Sequence, residues 1–329
     1  MNRRQFLAGT AAASTAAVGA AGKTPHPWKI GMYLGELDLP FDESLDQARE
    51  LGVKHVWFNT LKGERSIGEM TEAEADRMVE RVTRRGLEIF LFNAGNSFKG
   101  IHLEELDLKT LPDQPAFRKD LGDLTRSMEI AARHKLPAVN AFTFAWPGEY
   151  TAGKPTWPMR WATRGGIIAP IDEEKWVKAF RIVAERAERH GVDVALSMMP
   201  WNYTNTTGNF RRLVEKVGSR RLKVMWGPAD NWNSGEADVV TSGFANVRPY
   251  LHGLHLKDLH VIDGANLKFD YKPLGEGDVD YVTIFRKLRE HGLDVFLSVS
   301  THFRPASGSR LEAMRINLAN LRRLLEKAA

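Results

Sequence analysis

Eight short apolar runs alternate with longer amphipathic stretches between residues 28 and 329. That alternation is the pattern of βα units wrapped on a parallel sheet. The runs cover 28–33, 55–58, 87–92, 138–144, 192–198, 222–226, 251–256 and 293–299. Parallel strands are buried on both faces and should be nearly continuously apolar, as Ile89-Phe90-Leu91-Phe92 and Val194-Ala195-Leu196 are. Between them, 43–51 and 72–85 read as helices, the latter with acids early and bases late to suit the helix dipole. Gly52, Gly86, Gly191 and Gly292 each separate a helical pattern from a Val or Leu that opens the next run. A left-handed residue is wanted at such a joint. Eight units in about 300 residues predict one (β/α)₈ TIM barrel of the α/β class, occupying 23–329. A doubly wound open sheet would call for Gly-x-Gly-x-x-Gly after the first strand, and none is there.

Residues 1–22 do not continue the pattern. Arg3 and Arg4 precede a mildly apolar run and then small residues ending near Gly22, which reads as a twin-arginine export signal. The expectation is cleavage near Ala20 or Ala21 and a periplasmic location. The run is too short and too weakly apolar for a stable membrane span. Without residues 1–22, which carry two bases and no acid, the net charge falls from +5 to +3. No Lys/Arg run stands out, so the mild basicity describes a solvated surface rather than a nucleic-acid partner. The chain has no cysteine, which excludes disulfides, thiolate ligands and a cysteine nucleophile.

In a TIM barrel the chemistry sits at the C-terminal ends of the strands. The stretches after the fourth and fifth runs are aromatic: Trp146, Trp157 and Trp161, then Trp201, Asn202 and Tyr203. Trp226 and Trp232 lie at or beyond the sixth run, among Asn205, Asn231 and Asn233. Singly, each tryptophan is well explained as part of a loop core. As a group beside amides they suit the C–H faces of a sugar ring, so a small-molecule carbohydrate is the expected partner. A homo-oligomer stays open.

Leu254-His255-Leu256-Lys257-Asp258 closes the seventh run, and Leu274-Gly275-Glu276-Gly277-Asp278-Val279-Asp280 follows it. Ser298-Val299-Ser300-Thr301-His302 closes the eighth. In this order on an eight-unit pattern, the motifs resemble the xylose isomerase-like superfamily of sugar isomerases, epimerases, dehydratases and nucleases, over residues 28–329. The resemblance implies one divalent ion (Mg, Mn, Co or Zn) held by Glu after strand 5, Asp after strand 6, His after strand 7 and Glu after strand 8. Here the positions carry Ser197, Gly227, His255 and Ser300. Only His255 remains as a metal ligand, and one imidazole with two hydroxyls cannot offset the dehydration of a divalent cation. No cofactor is therefore expected unless the site has moved.

Three readings stay open. In the first, an enzyme of sugars, keto-sugars or cyclitols works by acid–base chemistry without the ion, as an isomerase, epimerase or lyase. Its catalytic candidates are His255, Lys257, Asp258 and Glu276, and its substrate-binding candidates are Trp146, Trp201, Asn202, Asp230, Trp232, Lys272 and His302. Lys257 and Asp258 could instead cap the strand end, and Glu276 could bond loop amides. In the second, a non-catalytic sugar-binding protein keeps the aromatic cleft. In the third, His255, Asp230, His302 and His260 form a relocated metal site. A nuclease would need more metal ligands and a basic stripe for phosphates.

Overall fold

A computed structural model describes residues 28–146, 168–263 and 268–329. The strands are β1 (Lys29–Tyr33), β2 (His55–Phe58), β3 (Glu88–Phe92), β4 (Ala138–Ala141), β5 (Asp193–Ser197), β6 (Leu222–Trp226), β7 (Leu251–Leu256), β8 (Asp258–Asp263), β9 (Lys268–Lys272) and β10 (Phe296–Val299). Eight of them close a barrel in the order β1-β10-β7-β6-β5-β4-β3-β2. Each apolar run of the sequence holds one barrel strand, so the expected TIM barrel is the observed fold. The helices are α1 (Phe41–Glu50), α2 (Glu72–Thr83), α3 (Pro115–His134), α4 (Pro170–His190), α5 (Thr207–Val217), α6 (Pro228–Asn233), α7 (Phe244–Val247), α8 (Tyr281–Glu290) and α9 (Arg310–Lys327).

Local signals set the boundaries. Thr71 and Glu74 form a reciprocal capping box at the start of α2, which satisfies amides the helix cannot bond internally. Gly191 ends α4 at φ +67°, and Gly52, Gly86 and Gly292 are likewise left-handed, the conformation their places between helix and strand require. At the end of α3, Lys135 adopts φ +55° in the same role.

The barrel interior is a small core of Trp57, Phe90, Leu91, Ala138, Ala195 and Met225, closed by Tyr33 and Phe296. Phe90 stacks on Phe296 at 4.6 Å. Gly253 makes room for this filling, because a Cβ there would meet Phe296 O at 2.8 Å and Met225 Sδ at 3.1 Å. A larger core lies between the strands and the surrounding helices. The plug leaves the C-terminal mouth as the place for a site.

One element was not anticipated. β8 and β9 form an antiparallel hairpin that pairs Asp258 with Lys272 and His260 with Asp270. Leu-His-Val-Ile and Phe-Asp-Tyr at 259–262 and 269–271 carry much of the alternation of a half-buried strand. Among the described residues no helix is long and apolar enough to cross a membrane. Residues 1–22, expected from the sequence to be an export signal, lie outside the described residues.

Candidate active site

His255 and Lys257 are two residues apart at the end of β7, so the pleat points both side chains to the same face. The Lys257 backbone carbonyl accepts a 2.5 Å hydrogen bond from the Tyr281 hydroxyl, which pins it. Its ammonium lies 2.8 Å from Asp230 Oδ1, and the two side chains are only 3% and 6% exposed. Asp230 comes from α6, the short helix that Pro228 opens directly after Gly227. Burial works most strongly against the charge on Lys257, but Asp230, together with Tyr271 and Glu36, holds the ammonium above its ordinary range. A buried pair like this needs close geometry to offset its desolvation, and 2.8 Å supplies it.

The remaining positions complete the ring. Trp57 meets the His255 ring edge-on at 5.7 Å and donates from Nε1 to Ser298 Oγ at 2.9 Å. Burial, reinforced by Lys257, pushes the His255 pKa well down, so its imidazole is neutral. Ser300 donates to Glu36 Oε1 at 3.0 Å, from the 3-10 turn Leu34–Leu37 that follows β1. His302 Nδ1 is 3.7 Å from the same oxygen, and Tyr271 of the hairpin lies 4.9 Å from the His302 ring. Ser197 Oγ accepts from Asn140 Nδ2 at 2.8 Å. On the β3 side, Lys99 sits 5.0 Å over Phe142 and 5.7 Å over Trp201. Burial, then the Lys257 charge, lowers the Lys99 pKa.

Several buried polar atoms here have no hydrogen-bond partner among the described residues: His255 Nε2, Asp230 Oδ2 and Asn140 Oδ1. An unpaired buried group costs roughly 1–3 kcal/mol, so their concentration marks a place where water or a ligand completes the bonding.

Other sequence candidates lie elsewhere. The Asp258 carboxylate accepts from the backbone of Leu259 at 3.0 Å, Gly275 at 2.9 Å and Gly277 at 3.1 Å. Burial nonetheless pushes its pKa up to about 6. Asp258 holds the Gly-Glu-Gly turn in place, and a Cβ on Gly277 would run into its Oδ1. Glu276 is exposed, with Asn320 Nδ2 of α9 at 3.4 Å from its carboxylate. Lys272 pairs with Asp270 on the hairpin at 2.7 Å. Trp232 and His260 both bind Asp278, at 3.2 Å and 2.7 Å. Trp146 stacks on Tyr203 at 4.0 Å and is buried. The Asn202 side-chain amide bonds the Thr143 carbonyl. Trp226 is core, its Nε1 donating to Asn231 Oδ1 at 2.8 Å. Trp157 and Trp161 lie outside the described residues.

Glu36, Lys99 and Asn140 are site residues outside the sequence candidates. Glu36 is three residues past β1, where reading past the first strand finds it, whereas Asn140 lies within β4, where no strand-end reading reaches it.

A closed eight-stranded parallel barrel with its polar cluster at the strand C-termini is the architecture of TIM-barrel enzymes. The model of the xylose isomerase-like TIM barrel family matches residues 45–324, and the chain belongs to that family. Solved structures agree on the fold. A xylose isomerase-like TIM barrel protein from Mycobacterium smegmatis in complex with magnesium has TM-score 0.65 and 19% identity, with 92% of this chain and 99% of that one covered. L-ribulose 3-epimerase has TM-score 0.66 at 16% identity, covering 92% and 96%. The probable 3-DHS dehydratase of petrobactin synthesis from Bacillus anthracis has TM-score 0.63 at 18%, covering 89% and 98%. A search of curated proteins returned no match.

The residues present do not fit a divalent ion of the family type. Ser197 and Ser300 are neutral and already hydrogen-bonded, Gly227 has no side chain, and an ammonium occupies the nearest carboxylate. Among the described residues no three His, Asp or Glu side chains come together as ligands. The relocated set dissolves in particular at His260, which is exposed and bonded to Asp278.

Proposed function

We propose that this protein acts on a small sugar, keto-sugar or cyclitol by acid–base isomerisation, epimerisation or elimination at the barrel mouth, without a metal ion. The carrying observation is the buried Lys257–Asp230 pair beside His255. When a proton leaves the carbon next to a carbonyl, negative charge grows on the carbonyl oxygen. A fixed ammonium in a water-poor site stabilises that charge without reorganising. The neutral His255 Nε2, buried and unpartnered, adds an uncharged hydrogen bond. Lys257 is held protonated and His255 is a weak base, so neither is the proton acceptor. Trp201, partly exposed beneath Lys99, offers the ring face. An epimerase and a dehydratase among the fold neighbours support this reading.

The test is incubation of the mature protein in D₂O with ketoses, 3-keto-glycosides and cyclitol ketones, following carbon-bound hydrogen exchange by NMR. Exchange abolished by Lys257→Met supports the enzyme. Saturable binding with no exchange by the wild type would sink it in favour of a sugar-binding protein, the reading that the neutral Ser197, Gly227 and Ser300 positions favour. Periplasmic location after twin-arginine export is part of the proposal. Retention of a twin-lysine Arg3→Lys, Arg4→Lys variant in the cytoplasm is the check.

A further inference from the structure

We propose that Glu36, delivered by the turn after β1, is the residue that carries the substrate proton. The inference rests on the acid–base reading above and names the base which that reading lacks.

Glu36 stands where the strand-8 ligand position has gone neutral. Its Oε1 accepts from Ser300 at 3.0 Å and lies 3.7 Å from His302 Nδ1. Thus a carboxylate still reaches that side of the mouth, from the opposite end of the chain. The closed barrel makes this possible, since β1 pairs with β10 and sets Met32 against Val299. Oε1 is the oxygen committed to Ser300, and Oε2 is the oxygen assigned to the substrate. The carboxyl is buried, at 6% exposure, and lies within the field of Lys257. Asp230 also senses Lys257, but its Oδ1 is committed to that ammonium. Glu36 is the carboxylate near Lys257 that makes no salt bridge to it. Burial raises its pKa, and the Ser300 bond and the Lys257 charge lower it by less, which suits a group that takes and returns a proton.

The step balances without a co-reactant. Glu36 Oε2 takes the proton from the carbon beside a carbonyl, and the C–H pair becomes the C=C bond. The carbonyl π pair moves to oxygen, where the Lys257 ammonium faces it. For the isomer, the hydroxyl on the carbon that lost its proton gives its O–H proton to the enolate oxygen and becomes the new carbonyl, while the C=C pair takes the proton back from Glu36 at the former carbonyl carbon.

The experiment compares wild type, Glu36→Gln and Glu36→Asp as full-length mature proteins, using the same ketose panel in D₂O. Glu36→Gln keeps an acceptor oxygen for Ser300 but cannot carry a proton. Expected is a fall of about 10²–10⁴-fold in exchange and kcat, with KM within a few-fold and partial recovery in Glu36→Asp. Thermal melting confirms folding, and Ser300→Ala, which removes only the orienting hydroxyl, should cost far less than Glu36→Gln. Glu36→Gln retaining kcat within threefold overturns the assignment while leaving the acid–base reading in place. A wild type that exchanges nothing overturns both.

Discussion

A Cβ on Gly227 would lie 2.5 Å from Asp230 Oδ2. A side chain at 227 and the carboxylate paired with Lys257 would therefore occupy overlapping space. Asp230 cannot swing aside freely, because Lys257 holds its other oxygen at 2.8 Å.

That overlap predicts an asymmetric rescue. Gly227→Ala should lower stability by about 1–3 kcal/mol, the range for overpacking a filled site. Asp230→Ser together with Lys257→Met in the same chain, which removes the clash and leaves no unpaired buried charge, should return much of the loss, as urea melts will show. The clash also bears on rebuilding the metal site. Ser197→Glu, Gly227→Asp and Ser300→Glu together should bind Mn²⁺ poorly by calorimetry while Asp230 and Lys257 stay. Stoichiometric binding should appear only when Asp230→Ser and Lys257→Met are added. Tight uptake by the triple variant alone would show that the overlap does not matter.

The ion pair itself should be strongly coupled. Lys257→Met leaves a carboxylate buried without a counter-charge, which costs about 3–5 kcal/mol. Asp230→Asn alone strands the ammonium in the same way. The double variant Lys257→Met, Asp230→Asn should lose clearly less than the sum of the two. Additive losses in a denaturant cycle would mean that the side chains do not meet.

The barrel was legible because its signal is repeated. The eight runs each hold a strand, and glycines at 52, 86, 191 and 292 all take positive φ. The site was legible only in part. His255, Lys257, Asp230 and His302 gather at the mouth, but which carboxylate faces them depends on closure of the barrel. Glu36 and Ser300 are 264 residues apart, and periodicity carries no information on such a contact. Asp258 and Glu276 stand in the strongest motif, and the structure shows that motif bonding its own turn. A short motif reports a constraint without saying whether geometry or chemistry imposes it.

From that turn comes a contrast between two acids, Asp258 at the start of β8 and Glu276 four residues past the end of β9. Asp258→Asn withdraws charge from four backbone N–H donors, those of Leu259, Gly275, Gly277 and Val279, and should destabilise by about 2–4 kcal/mol. Glu276→Gln, exposed and weakly bonded, should stay within about 0.5 kcal/mol. Melting curves rank them. A larger effect at Glu276 on turnover than on melting would instead place it at the substrate.

The histidines give the acid dependence a sign. Burial, aided by Lys257, pushes His255 well below its usual value, and His302, whose side chain is 41% exposed, is lowered by its surroundings and by the Lys257 charge. Both are neutral in the folded protein at pH 7, whereas in the unfolded chain they take protons below about pH 6.5. The unfolded state therefore binds more protons in that window, and stability falls as pH drops from about 6.5 towards the folded values. Buried carboxyls such as Glu36, whose pKa is raised, act in the opposite sense at lower pH, so the total curve mixes the two. A difference between proteins separates them. His302→Gln cannot titrate, so its melting temperature should fall less than that of the wild type between pH 7 and 4.5. Parallel curves for the two proteins would mean that His302 protonates as easily folded as unfolded, and that the Lys257 ammonium does not reach it.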